Sequence, residues 1–114
     1  MTDLFGGVPE TTPQDATELI AAGALMVDIR EAEEWEEVRI PGAEFRPLSE
    51  INEWFGDLPR DRTVILQCRS GNRSAMATAA LMQQAGMDNV VNLAGGIIAW
   101  YQAGLPIDLE PLPH

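Results

Sequence analysis

The chain has 114 residues, 46% of them hydrophobic and 22% charged, with a formal net charge of −11; these values suit one folded domain rather than a disordered or membrane-embedded chain. The acidity argues against nucleic acid and anionic membranes as partners, since both would repel it. A single cysteine, Cys68, excludes an internal disulfide, a resolving thiol and a multi-cysteine metal site, and the lack of lysine excludes Schiff-base chemistry.

The first residues, Met1 to Phe5, lack a basic region followed by an apolar one, so no secretory leader is expected and the cytoplasm is the expected compartment. Residues 1–11 read as an N-terminal segment. Thr12-Pro13-Gln14-Asp15 predicts a helix start: Thr12 can cap, Pro13 suits the first helical position and Asp15 favours the positive end. Leu19, Ile20 and Ala22 are the expected buried side, with Gly23 as the stop. Leu25 to Ile29 reads as a buried strand. Glu31 to Val38 reads as a short helix whose five glutamates form a solvated face rather than a metal or partner site. Ile40-Pro41-Gly42-Ala43 is a turn into a short strand around Glu44 to Arg46. Ser49 is the expected cap of a helix running through Phe55, and Pro59 with Asp61 marks the next turn.

Thr63 to Gln67 predicts a strand. Ser74 to Ala85 predicts a helix with Gly86 just past its end, and Ala75, Ala77, Ala79 and Ala80 would let it approach a sheet closely. Asn89 to Leu93 is a further strand, Ala94-Gly95-Gly96 breaks the chain, and a last helix runs through Trp100 and Tyr101 until Gly104-Leu105-Pro106. Residues 107–114 read as a tail. Trp35, Trp54 and Trp100 are expected to pack rather than to stack on a ligand. Strands alternate with helices, so residues 12–106 are expected to form one α/β domain with a mostly parallel central sheet and helices on both faces.

Chemistry concentrates in Cys68-Arg69-Ser70-Gly71-Asn72-Arg73, which follows a strand and precedes a helix. Backbone N–H groups, the positive end of the helix and two guanidiniums all favour an anion there. A thiol so placed becomes a nucleophile, because such surroundings favour its thiolate. The only histidine is His114, so activation must come from electrostatics rather than an imidazole base. Residues 63–102 carry Arg69 and Arg73 against Asp88 alone, while the rest holds five arginines against seventeen carboxylates. A locally positive loop on an acidic chain suits a small anion. Gly71 is expected where the loop must curl, Ser70 and Asn72 shape it, and Ser74 closes it. Asp28 and Arg30 fit either a cleft lining or an internal ion pair, and Arg46 is a candidate for the pocket rim. Gly95 and Gly96 are expected to permit close backbone packing near the loop.

Four stretches in order, Val27-Asp28-Ile29-Arg30-Glu31, Ile40-Pro41-Gly42-Ala43, Cys68 to Arg73, and Leu93-Ala94-Gly95-Gly96 with Trp100, resemble the rhodanese family, specifically its single-domain sulfurtransferases. The chain departs from that pattern at Arg39, where many members carry histidine. The resemblance implies a rhodanese-like α/β fold and a thiosulfate sulfurtransferase acting through a Cys68 persulfide. Cys68 would be catalytic. Arg69, Ser70, Gly71, Asn72, Arg73 and Ser74 would bind the donor. Neither metal nor cofactor is implied. The partners would be a small anionic sulfur donor, cyanide or a thiol as acceptor, and a sulfur-relay protein.

The alternatives are a sulfur carrier without turnover, a partner-binding module, and a cysteine-dependent phosphatase or arsenate reductase. Phosphatases of that kind resemble this loop but place five residues between cysteine and arginine, where this chain has four.

Overall fold

The computed structural model describes residues 7–109. Five strands form one sheet: β1 (Glu10–Thr11), β2 (Leu25–Asp28), β3 (Glu44–Phe45), β4 (Val64–Gln67) and β5 (Val90–Leu93). The order is β1-β5-β4-β2-β3 and every pairing is parallel. The helices are α1 (Pro13–Ala21), α2 (Ala32–Glu37), α3 (Ile51–Trp54), α4 (Asn72–Gln84) and α5 (Gly96–Gln102).

A parallel sheet covered on both faces needs strands that are apolar on both sides. β4 is buried at all four positions. On one face Val27, Val64, Leu66, Cys68 and Val90 pack with Trp54, Leu58, Ala77, Leu81 and Met87, under α3 and α4. On the other face Met26, Ile65 and Leu93 pack with Ala16 of α1, Ile40, and Ile97 and Trp100 of α5. The expected α/β class, parallel sheet and two-sided cover are all present.

The strand order places the site. From β2 the chain moves outward to β3, whereas from β4 it moves the opposite way to β5. A crevice therefore opens between the C-terminal ends of β2 and β4, which is where open parallel sheets bind ligands. The Cys68 loop leaves β4 there, and α2 follows β2.

Local chemistry explains most boundaries. Thr12 Oγ1 accepts from Asp15 N at 3.1 Å, and Pro13 stands at the first helical position. Other expectations need correction. Ile20 and Ala22 face solvent, and Pro13 and Ala16 are the residues α1 buries. Ser49 caps no helix; it lies within a 3-10 turn, Leu48–Glu50, and its hydroxyl donates to Glu31 at 2.8 Å. α4 starts at Asn72, two residues before the expected Ser74, because the loop is tighter than anticipated. Glu10 and Thr11, expected in a segment outside the domain, pair with β5 as an edge strand. At the other end, Asp108 makes an antiparallel bridge with Arg39. Ile107 packs on the α5 face. The expected tail residues 110–114 and the expected leaderless start, Met1 to Phe5, lie outside the described residues.

The departure at Arg39 has a physical role. Its guanidinium donates to Trp35 O at 2.9 Å and lies 5.6 Å over the Trp35 ring, so it caps the carbonyl end of α2.

Gln67 is a discord in the core. It is fully buried, register partner to Asp28, and neither side-chain polar atom has a hydrogen-bond partner among the described residues. A buried amide without partners costs about 1–3 kcal/mol. Gln67→Met keeps the shape and removes the polarity, so it is expected to raise stability by about 1 kcal/mol. Urea unfolding of the two proteins checks this; an equal or lower midpoint for the variant contradicts it.

Candidate functional site

The Cys68 loop is held by its carbonyls. Ile97 N donates to Cys68 O at 2.9 Å, and Ile98 N donates to Arg69 O at 3.2 Å, both from the first turn of α5. In a trans peptide the N–H points opposite the carbonyl. The N–H groups of Arg69 and Ser70 therefore point away from α5. Gly71 O is likewise taken, by Ala75 N at 3.1 Å and Asn92 Nδ2 at 3.2 Å. That turns the Asn72 N–H outward.

Two glycines make this approach possible. Gly71 has φ of 97°, and a Cβ there would lie 3.0 Å from Gly95 N. A Cβ on Gly96 would come within 2.6 Å of the Arg69 carbonyl carbon. The expected close packing of Gly95 and Gly96 against the loop is thus observed.

Cys68 is 1% exposed and sits at the end of the α4-side core. Its Sγ accepts from Gly71 N at 3.2 Å and from Ser74 N at 3.4 Å. Ser74 Oγ lies 3.3 Å from the sulfur and donates to Asn92 Oδ1 at 2.5 Å. A hydroxyl has one proton. With that proton directed to Asn92, Ser74 meets the sulfur with a lone pair, and stabilising a thiolate falls to the two backbone N–H groups. The N–H groups of Arg69, Ser70, Asn72 and Arg73 have no acceptor among the described residues. Together with the N-terminus of the 13-residue helix α4 they form a cradle for an anion beside the sulfur.

The two loop arginines differ. Arg73 Nη1 and Nη2 donate to the two carboxylate oxygens of Glu34, each at 2.9 Å. This bidentate pair bolts α2 to the start of α4 and supplies the anion that a cation at a helix N-terminus needs. Arg69 is exposed, and among the described residues its guanidinium has no ion pair or hydrogen bond. The Arg73 hydrogen bonds hold the Glu34 carboxyl at about 2, and Glu34 in turn raises Arg73.

The remaining candidates resolve clearly. Ser70 and Asn72 are exposed on the loop, while Gly71 and Ser74 are buried. Asp28 and Arg30 form a buried ion pair, with Arg30 Nη2 donating to Asp28 Oδ2 at 2.7 Å and to Val38 O at 2.6 Å. Arg46 is not at the loop: it pairs with Glu44 at 2.6 Å on a separate acidic groove lined by Glu31, Glu50 and Glu53. The glutamates of 31–37 are not all a solvated face, since Glu34 of α2 binds Arg73 and Glu31, which precedes α2, accepts from Ser49. Sequence reasoning missed Glu34 and Asn92. Only the 3.6-residue repeat of α2 hinted that one of its glutamates must face inward. No group of three or more described acidic, cysteine or histidine side chains is arranged to hold a metal ion. No described helix is long and apolar enough to cross a membrane.

The model of the rhodanese-like domain matches residues 12–103. The chain is 49% identical over 83 residues to a sulfurtransferase of Allochromatium vinosum, covering 73% of this chain and 77% of that one. It is 33% identical over 100 residues to the thiosulfate sulfurtransferase GlpE of Actinobacillus succinogenes, covering 87% and 89%. Against the probable adenylyltransferase/sulfurtransferase MoeZ of Mycobacterium tuberculosis it is 42% identical over 93 residues, but the match covers 78% of this chain and 24% of that protein. Among solved structures, a rhodanese-related protein of Thermoplasma volcanium superposes with a TM-score of 0.78 at 34% identity, covering 90% of this chain and 99% of that one.

The Glu34–Arg73 pair gives a pH signature. Glu34 is held at about 2 against 4.5 in the unfolded chain, so its contribution is complete above pH 4.5 and is lost as pH falls toward 2. Partial exposure limits the pair to about 1 kcal/mol. Glu34→Gln is therefore expected to be less stable than the parent by about that amount at neutral pH, with the gap closing across that acid range. Denaturation at stepped pH measures it; a gap that stays constant to pH 2 contradicts it.

Proposed function

The chain belongs to the rhodanese-like domain family, and on that premise we propose that it is a cytoplasmic sulfurtransferase that moves a sulfane sulfur from a small anionic donor such as thiosulfate to cyanide or a cellular thiol. The observation that carries this reading is the pair of N–H groups on Cys68 Sγ beside four further N–H groups that lack an acceptor among the described residues. A nucleophilic sulfur and an anion cradle at one point are what attack on an anionic sulfur donor requires.

In the first step the Cys68 thiolate attacks the outer sulfur of thiosulfate. The bond between the two thiosulfate sulfurs breaks, and sulfite leaves with its electron pair. Cys68 is left as a persulfide anion, held by the N–H groups of the loop. In the second step cyanide attacks the terminal sulfur, forms thiocyanate and restores the Cys68 thiolate. Two half-reactions through a covalent enzyme give ping-pong kinetics.

The geometry supports the following residue roles. Arg69, exposed and without an ion pair among the described residues, meets the anionic end of the donor. Arg73 contributes its backbone N–H and, through Glu34, fixes the loop to α2. Asn92 sets the position of Ser74 and Gly71 against the sulfur. Ser70 and Asn72 contribute backbone N–H groups. The short loop and the engaged Arg73 guanidinium disfavour the phosphatase alternative, which needs that arginine for a phosphoryl group.

Treatment with thiosulfate followed by mass spectrometry is expected to show one added sulfur on Cys68 and none on Cys68→Ala, which also loses thiocyanate formation. Persistent sulfur transfer by Cys68→Ala would falsify the assignment. Arg69→Ala is expected to raise the thiosulfate KM about tenfold with stability unchanged, the size of one charge-assisted hydrogen bond to the donor. Arg73→Ala is expected to lower stability as well, because it strands Glu34. Steady-state kinetics paired with thermal melts distinguish the two roles; an unchanged KM in Arg69→Ala rules out the role given to it.

A further inference from the structure

Asn92 of β5 is 1% exposed and hydrogen-bonds to the Cys68 loop and to the first turn of α4. A side-chain amide has an oxygen that only accepts and a nitrogen that only donates, so its partners fix which way it faces. Asn92 Nδ2 lies 3.0 Å from Glu10 Oε2 and 3.2 Å from Gly71 O. One is a carboxylate oxygen and the other a carbonyl, and both accept. Glu10 is also the register partner of Asn92 across β1 and β5. Turning the amide over would set Oδ1 against two oxygens. Oδ1 therefore faces Ser74, and the proton in the 2.5 Å contact there belongs to the Ser74 hydroxyl.

Ser74 Oγ, fully buried and 3.3 Å from Cys68 Sγ, is left with a lone pair on the sulfur side. What that lone pair does depends on where the charge sits. On the thiolate the negative charge is on Sγ, against the lone pair. In a persulfide Sγ is a neutral sulfur within an S–S bond, and the charge is on the outer sulfur. An oxygen lone pair facing an anion is unfavourable, and a buried site has little water to screen it. Ser74 thus penalises one state of the sulfur and spares the other.

Resting on the sulfur-transfer reading above, we propose that Asn92 is a positioning residue: by holding the Ser74 proton it makes Ser74 drive charge off Cys68 Sγ, which biases the protein toward its sulfur-loaded form. In uptake the Sγ electron pair forms the new S–S bond, the S–S bond of thiosulfate breaks, and sulfite departs with that pair. Three negative charges enter and three leave, and the one on the protein moves from the inner to the outer sulfur. In discharge cyanide bonds to the outer sulfur, the persulfide bond breaks, and its pair returns to Sγ against the lone pair. Ser74 therefore speeds the first step and slows the second.

The test measures single-turnover persulfide formation with thiosulfate, and its discharge by cyanide, at about pH 9.5, where thiols are largely ionised. Ser74→Ala removes the lone pair, and alanine suits a helix. It is expected to slow uptake and to quicken discharge by about threefold each, the size of one hydrogen bond. Asn92→Val releases the Ser74 proton toward the sulfur and is expected to move both rates in the same directions by about tenfold. In the Ser74→Ala background Asn92→Val is expected to add nothing; a further shift of the same size there overturns the role given to Asn92. Thermal melts show which variants are folded, and if Asn92→Val is not, Ser74→Ala decides. A lost position merely needed for shape slows both steps. That result in folded Ser74→Ala, or two unchanged rates, overturns the proposal and leaves the sulfur-transfer reading standing. No persulfide on Cys68 of the unmodified chain overturns both.

Discussion

Two hydrogen bonds from the first turn of α5 to the carbonyls of Cys68 and Arg69 govern the rest of the site. They decide which way the peptides of the loop face. With the carbonyls drawn toward α5, peptide planarity sends the N–H groups of Arg69 and Ser70 the other way, while those of Gly71 and Ser74 meet the sulfur. A row of like-oriented N–H dipoles is unfavourable unless something else fixes the carbonyls, and here α5 and Asn92 do so. The absence of a side chain at Gly96 lets the helix come close enough. The arrangement of N–H groups around Cys68 thus depends on packing between β4, α4 and α5, and only secondarily on the side chains of the loop.

Much of this is legible in the chain, but not all of it. The strand, loop and helix around Cys68 are contiguous, and their signals (a buried apolar run, a glycine that must curl, an alanine-rich helix) act over a few residues. The parallel sheet follows from alternation of element types. What escapes a sequence reading is non-local. Glu34 and Arg73 are far apart in the chain, and nothing in the glutamate run says which carboxylate turns inward. Asn92 looks like an ordinary strand residue until β5 is laid beside β4 in register with Leu66. β1 is two residues long and borrows its definition from β5. Ser49 and Ile20 depart from expectation for a related reason: capping and amphipathic signals fix local geometry, while tertiary partners such as Glu31 and the neighbouring helix ends decide where the side chains go.

The charge distribution makes sense in the same terms. The chain as a whole is acidic, yet the surroundings of Cys68 favour an anion. The long helix α4 contributes its positive end, and the loop contributes N–H groups whose partial charges cannot be neutralised by side-chain motion. The two guanidiniums divide the remaining duties, one bolted to α2 and one left toward solvent. Local electropositivity therefore survives the net charge because most of it is written in the backbone.

The bridge between Arg39 and Asp108 carries a broader consequence. It straps Ile107 and Leu109 alongside α5, where with Ile97, Ile98 and Tyr101 they line a cavity of about 390 Å3. Substitutions in that strap can therefore reshape the cavity without touching the groups that contact Cys68 Sγ.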